Sequence, residues 1–206
     1  MPRELPILFC TEMIEAFLDG RKTQTRRIEG LKVLNTDPDR WNLWATHYNP
    51  LEWAFEDLKS HNDSQLKFIK PRYQVGDHLY AKETWAADRQ YDSVPPRAIP
   101  VGSNIWFPDH LGWKRDKHMG RVRTGRFMPK KFARIWREVT EAKDPHRLQD
   151  ISEEDAIAEG SYLARDKDDE GGFVNLWDTL HPKPGERWGD NPWVLPYVLR
   201  IQEKLQ

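Results

Sequence analysis

The chain has 206 residues, with 32 Lys and Arg against 33 Asp and Glu and a formal net charge of −1. That suits one domain with insertions and argues against binding nucleic acid through bulk positive charge; any basic surface must be local. The single cysteine, Cys10, excludes an internal disulfide and a cysteine metal cluster, and the seven histidines lack paired metal-ligand spacing. Neither a signal peptide nor an apolar run of membrane-spanning length is read, so a cytoplasmic location is expected. Ten tryptophans, large flat donors, suit a mixed core or base-stacking pockets.

Residues 5–10 read as a short apolar strand. Thr11 is placed to cap a following helix in which Met13, Ile14, Phe17 and Leu18 share a face, and Gly20 supplies its stop. Directly after it comes Gly20-Arg21-Lys22-Thr23-Gln24-Thr25-Arg26-Arg27, four cations and two hydroxyls within eight residues. A lysine flanked by arginines is disfavoured as an ammonium, which makes a neutral amine accessible, and Thr25 is a hydroxyl that such an amine can activate. The alternative is a basic loop that binds anions or faces solvent.

Residues 29–70 mix Trp41, Trp44, Trp53 and Phe55 with turn residues and read as a partly irregular insertion, either a wall over a site or a peripheral elaboration. Gly76-Asp77 turns the chain into a strand from His78 to Trp85. Glu83 shares a face with Leu79 and Ala81, so it is either buried in a cavity or held in a surface salt bridge; Trp85 lines a pocket or belongs to the core. A second loop-rich insertion follows, over about residues 86–125. From Trp113 and Lys114 to Arg126 it is strongly basic, able to grip phosphate or to serve as a solvated loop.

Alternation marks a strand over Phe132–Thr140. Ser152 with acids after it starts a helix over Glu153–Glu159 that ends at Gly160. Glu159 lies at the negative end of that helix, where its pKa is expected to rise and a protonated carboxyl can serve as a general acid; the plain alternative is an exposed residue before a glycine stop. Residues 161–171 read as a solvated loop, and Phe173, Leu176, Trp177 and Leu180 as a helical stripe. Asn191-Pro192-Trp193 leads into a last strand to Ile201, with Asn191 a turn residue and Trp193 core; Pro196 within it implies an edge or a bulge.

The strand, the helix and the Gly-Arg-Lys-Thr-Gln-Thr-Arg-Arg run resemble the signature of the ASCH family, in the longer form found in phages and prophages. Gly76-Asp77, Glu83-x-Trp85, the segment from Arg126 to Pro129, and Asn191 with Trp193 resemble further motifs of that group. The resemblance implies an α+β fold, a PUA-like small mixed β-barrel with flanking helices, as a single domain over 1–206 with insertions at about 29–70 and 86–125. It also implies an amidohydrolase acting on N4-acetylcytidine or a related modified nucleoside or nucleotide. Lys22, Thr25 and Glu159 match the family's catalytic lysine, threonine and glutamate, and Arg21, Arg27, Glu83, Trp85 and Arg126 are the expected substrate contacts. No metal or other cofactor is required. The insertions can change the substrate or close the pocket. Two other functions fit the same motifs: a non-catalytic module binding RNA or a modified nucleotide, and a phage scaffold for protein contacts. Oligomeric state is not set by the sequence.

Overall fold

A computed structural model describes residues 2–49, 52–60, 66–107, 115–161 and 172–201. In chain order they form β1 (Glu4–Leu8), α1 (Thr11–Leu18), β2 (Gln24–Arg27), α2 (Lys32–Asn35), β3 (Trp41–Asn49), β4 (Glu52–Asp57), β5 (Leu66–Ile69), β6 (His78–Lys82), β7 (Ala86–Ala87), β8 (Ile105–Trp106), β9 (Trp136–Ala142), β10 (His146–Arg147), α3 (Glu153–Ala158), α4 (Phe173–Leu180) and β11 (Trp193–Ile201). The fold is mixed α+β, mostly strands with few helices. Among the described residues the strands close no barrel, and no helix is long and apolar enough to cross a membrane. Trp113, Lys114 and residues 162–171, read above as parts of loops, lie outside the described residues.

The chain forms two compact units. The first contains Met1–Gly20, Gly76–Glu138 and Arg200–Gln206. Here β1 pairs in parallel with β6, and β6 pairs antiparallel with the start of β9 (Tyr80↔Trp136). The α1 stripe buries Met13, Ile14, Ala16 and Phe17. Thr11 is the first helical residue rather than the cap: Cys10 holds the N-cap position and no side chain caps the helix. The strand expected from Phe132 begins only at Trp136, because Lys130–Phe132 is a 3-10 turn behind Pro129. Ala87 and Ile99 of the 86–125 segment pack in one apolar cluster with Trp85, Met128, Phe132 and Ala133 from either side of it. Gly125 is required there, since an added Cβ would lie 2.9 Å from the Lys82 carbonyl oxygen.

The second unit contains Arg21–Val75 and Val139–Leu199. Its frame is β11, which pairs antiparallel with β2 (Thr25↔Tyr197, Arg27↔Leu195) and with β10 (Arg147↔Trp193). Of the edge or bulge expected at Pro196, the edge is not found: the residue is interior to a sheet. Its carbonyl accepts from the Lys143 N–H at 2.9 Å. Lys143 lies between β9 and β10, so the N–H that proline lacks faces the gap where one partner strand has ended and the next has not begun. The 29–70 stretch is more regular than expected: β3, β4 and β5 form an antiparallel meander, and Trp53, Ala54 and Phe55 are buried. The cap at Ser152 is present, accepting from the Asp155 N–H at 3.1 Å. Ala156 of α3 and Phe173, Val174 and Trp177 of α4 bury themselves with Leu148, Ile151, Trp188 and Val194. Asn191 adopts the left-handed conformation expected of a turn asparagine (φ 45°).

The start of β11 is fixed by a side chain from α2. Asn35 Oδ1 accepts from the Trp193 N–H at 2.8 Å, and Asn35 Nδ2 donates to the Trp193 carbonyl at 3.1 Å. All of these groups are buried. Asn35→Ala strands two backbone groups and is expected to lower unfolding free energy by about 2–4 kcal/mol, measured as a reduced urea midpoint.

Candidate active site

The second half of the basic run, Gln24–Arg27, is a largely buried strand rather than an open loop, while Arg21 and Thr23 ahead of it are exposed. Alternation along β2 sends Gln24 and Arg26 to one face and Thr25 and Arg27 to the other, while Lys22, ahead of the strand, is not bound by that alternation. Cations taken out of water need acceptors. Here α3 supplies them, because Asp155 and Glu159 lie one turn apart on one side of that helix.

Lys22 Nζ donates to Glu159 Oε2 at 2.7 Å and to the Glu159 carbonyl at 2.8 Å. Arg26, whose side chain is 0% exposed, donates through Nη1 to Glu159 Oε1 at 3.1 Å, through Nη2 to Asp155 Oδ2, and through Nε to His146 Nε2 at 3.3 Å. Gln24 Nε2 donates to Asp155 Oδ1 at 3.0 Å, and Lys143 Nζ lies 3.4 Å from the same oxygen. Thr23 N–H donates to the Ala158 carbonyl at 2.8 Å, tying the basic run to the end of α3. Arg21 is exposed and donates to the Gly160 carbonyl at 3.0 Å.

These contacts reverse the expected protonation of Glu159. Burial pushes its carboxyl up, but the charges of Lys22 and Arg26 and the hydrogen bonds they donate outweigh it and hold the group below its ordinary value. The residue at rest is a buried carboxylate, neither a raised acid nor an exposed cap. With Lys22 Nζ 2.7 Å from this carboxylate, the two form a buried ion pair. Asp155 is also held low: burial raises it, and Arg26, Gln24 and Lys143 together lower it. For His146, burial lowers the imidazole pKa. Its Nδ1 faces the Arg147 carbonyl at 2.7 Å while Nε2 faces the Arg26 N–H, which fits a neutral ring protonated on Nδ1.

The other face of β2 has its own polar set. Thr25 is 3% exposed and sits opposite Tyr197 across the ladder. His181, just past the end of α4, stacks on Trp177 with ring centroids 4.2 Å apart. Its pKa falls from 6.5 to about 4, through burial first and the Arg27 charge second, partly opposed by Glu29 and Asp178.

The remaining expected contacts belong to the first unit. Glu83 is buried and accepts from Arg134 Nε and Nη2 at 3.0 and 2.9 Å, so its salt bridge is internal rather than superficial. Trp85 is a core residue at 0% exposure, beside Phe132 at 5.5 Å and beneath the Arg123 guanidinium at 5.2 Å. Arg126 is exposed, and its carbonyl accepts from Lys82. Within the basic stretch, Arg115, Lys117 and Arg121 are exposed, whereas Arg123 is buried and donates to the Tyr91 carbonyl at 2.6 Å.

Sequence reasoning brought Lys22 and Glu159 together and missed Arg26, Asp155, Gln24, His146, Tyr197 and His181. For Asp155 a signal existed in its spacing of four from Glu159. Comparison with protein families, with curated proteins and with solved structures finds no match to this chain.

The histidine shift has a measurable consequence. Folded His181 takes its proton only near pH 4, whereas in the unfolded chain it does so near about 6.5. Between those values the unfolded chain binds more protons, so stability falls as pH drops from 6.5 toward 4 and this contribution is flat below. Allowing for the ring's partial exposure, the loss is about 2 kcal/mol. Urea denaturation across pH 7 to 4 is expected to show it, and His181→Gln to remove that part of the slope.

Proposed function

We propose that the protein is an amidohydrolase of the ASCH kind that removes the acyl group from an N4-acylated cytidine or a related modified nucleoside or nucleotide. The PUA-like core, the single domain over 1–206 and the insertions at about 29–70 and 86–125 belong to the same proposal, as does a cytoplasmic location. The observation that carries it is the buried 2.7 Å contact between Lys22 and Glu159, two side chains 137 residues apart. The family resemblance assigns these residues to one catalytic centre on motif alone.

The chemistry follows from that contact. When bound substrate excludes the last water, a neutral amine–acid pair costs less than two buried ions. The Lys22 ammonium passes a proton to Glu159 and becomes an amine. Lys22 then takes the Thr25 hydroxyl proton as Thr25 Oγ1 attacks the amide carbonyl. The C–N4 bond breaks, the cytosine amine leaves with a proton from Glu159, and Thr25 carries the acyl group as an ester. Water, giving its proton to the pair, releases the acid and restores Thr25. Arg21 and Arg27 are the cations assigned to the developing oxyanion and to substrate phosphate or sugar.

A second reading is a module that binds RNA or a modified nucleotide without chemistry. It is supported by the engagement of both Lys22 and Arg26 with carboxylates, an arrangement that is complete without a reaction.

Mass spectrometry separates the two. Incubated with N4-acetylcytidine, its deoxy form and its 5′-monophosphate, the full chain is expected to release cytidine or its counterpart from at least one. Thr25→Ala, which leaves the Lys22–Glu159–Arg26 network intact, is expected to lower that rate about 10³-fold or more without a lower melting temperature. Glu159→Gln is the poorer probe, because two buried cations lose their carboxylate at a cost of about 3–5 kcal/mol. Absence of product from all three substrates sinks the enzyme reading, and measurable binding of RNA or modified nucleotide by the same inert sample then favours the module.

A further inference from the structure

On the face of β2 that carries Thr25, the Tyr197 side chain from β11 brings a buried hydroxyl that has no hydrogen-bond partner among the described residues. Thr25 and Tyr197 are direct partners in the antiparallel β2–β11 ladder, so their side chains leave the sheet on the same side. Tyr197 is 1% exposed. Its ring is fixed edge-on against Tyr73, with centroids 5.3 Å apart and planes at 76°. Its hydroxyl makes no hydrogen bond. A buried hydroxyl without a partner is rare in a folded protein and calls for an explanation, because it has left water and gained nothing in exchange.

The surroundings say what kind of partner is missing. Burial, helped by the Glu29 charge, pushes the Tyr197 phenol far above its ordinary pKa, against weaker support for the anion from the backbone N–H groups of Tyr73 and Arg72. The group therefore keeps its proton at any working pH and can act only as a neutral hydroxyl. What the site lacks is an acceptor for that proton. Lys22 and Arg26 already donate to Glu159 and Asp155, so their N–H groups are engaged at rest. Tyr197 contributes to the Thr25 face a neutral hydroxyl donor that makes no hydrogen bond.

We infer that the Tyr197 hydroxyl donates a hydrogen bond to the acyl carbonyl oxygen of the substrate while Thr25 attacks the adjoining carbon. This rests on the amidohydrolase reading and adds a substrate-contacting residue to it. No proton leaves Tyr197: as the Thr25 Oγ1–C bond forms, the carbonyl π pair moves onto oxygen and the hydrogen bond strengthens against the new negative charge. When the C–N4 bond breaks, the pair returns and the carbonyl of the Thr25 ester re-forms. Shielding of both groups from bulk water is the condition under which such a donor is most effective, since nothing screens the developing charge.

The test is Tyr197→Phe, beside Thr25→Ala and the unaltered chain, each assayed for N4-acetylcytidine hydrolysis and for thermal unfolding. The variant keeps the ring and its contact with Tyr73 and loses only the unbonded hydroxyl. A donor to the oxyanion predicts kcat lower by about 10²–10³-fold, KM within about threefold because the contact strengthens in the transition state, and a melting temperature equal to or above that of the unaltered chain. If the unaltered chain is active, Thr25→Ala is inactive and Tyr197→Phe retains kcat within about twofold, the role of Tyr197 is overturned while the amidohydrolase reading stands. If kcat falls only in step with a lower melting temperature, Tyr197 is a packing residue and the inference is again overturned. If the unaltered chain releases no cytidine, the amidohydrolase reading fails and this inference fails with it, a pattern distinct from the other two.

Discussion

Glu159 is a carboxylate removed from water at the end of a helix of six residues, and the second unit is arranged around making that tolerable. Moving an isolated carboxylate into a protein interior costs several kcal/mol even after relaxation. One cation would leave its own burial uncompensated. Here Lys22 approaches one oxygen and Arg26 the other, and Arg26 is shared with Asp155, which in turn meets Gln24 and Lys143. The chain of contacts alternates in sign from the interior to the surface, since side-chain exposure rises from 1% or less at Lys22 and Arg26 to 26% at Asp155 and 32% at Lys143. The desolvation cost is thus carried by the network as a whole. Any substitution inside it leaves a charge without its counterpart, which makes these residues far more sensitive than the exposed ion pairs elsewhere.

That network is also what holds a very short helix in place. Six residues have little helical stability of their own. The Ser152 cap satisfies the first turn, the Ala156 side chain enters the apolar cluster, and the far end is tied to the basic run through Thr23 N–H and Lys22 Nζ. The ladder between β2 and β11 then converts this local attachment into a two-faced element. One face of β2 places Arg26 in ion pairs with Asp155 and Glu159. The other sets Thr25 beside Tyr197 and Arg27 near His181. A strand is well suited to this, because adjacent residues differ by about 180° in direction and two electrostatic environments can be built within four residues.

The parts legible in the sequence were those whose physics is local. The buried Met13, Ile14 and Phe17 of α1 and Phe173 and Trp177 of α4, the Ser152 cap and the left-handed turn at Asn191 depend on neighbours a few residues away, whereas Leu18 and Leu180, read into the same stripes, are exposed. The identity of β2 was hidden because Gln-Thr-Arg-Arg has no apolar alternation; its inward side is lined by carboxylates, so the usual signal is replaced by charge. Pro196 was read as an edge or a bulge, and it lies inside a sheet because its missing N–H faces the gap between β9 and β10, where no partner strand needs it. The pairing of Lys22 with Glu159 followed from resemblance, not from periodicity. Arg26 was passed over because its acceptors lie 129 and 133 residues further along the chain.

The protonation of Glu159 went against a local argument, and Glu83 shows why. Both glutamates are nearly buried, at 6% and 3% exposure, yet burial prevails at Glu83 and raises its carboxyl, while Glu159 is lowered. Glu83 meets one cation, Arg134, whose side chain is 34% exposed and so remains partly screened by water. Glu159 meets two cations that are themselves almost wholly out of water. Coulomb attraction grows as the local dielectric falls, so a partner's own burial weighs as much as its distance. A helix terminus, worth about half a unit charge and effective only over its last turn, is a minor influence beside two full charges at hydrogen-bond range. The charge state of a buried carboxylate is therefore set by how many cations share its burial, and the run from Lys22 to Arg26 brings two of them to Glu159.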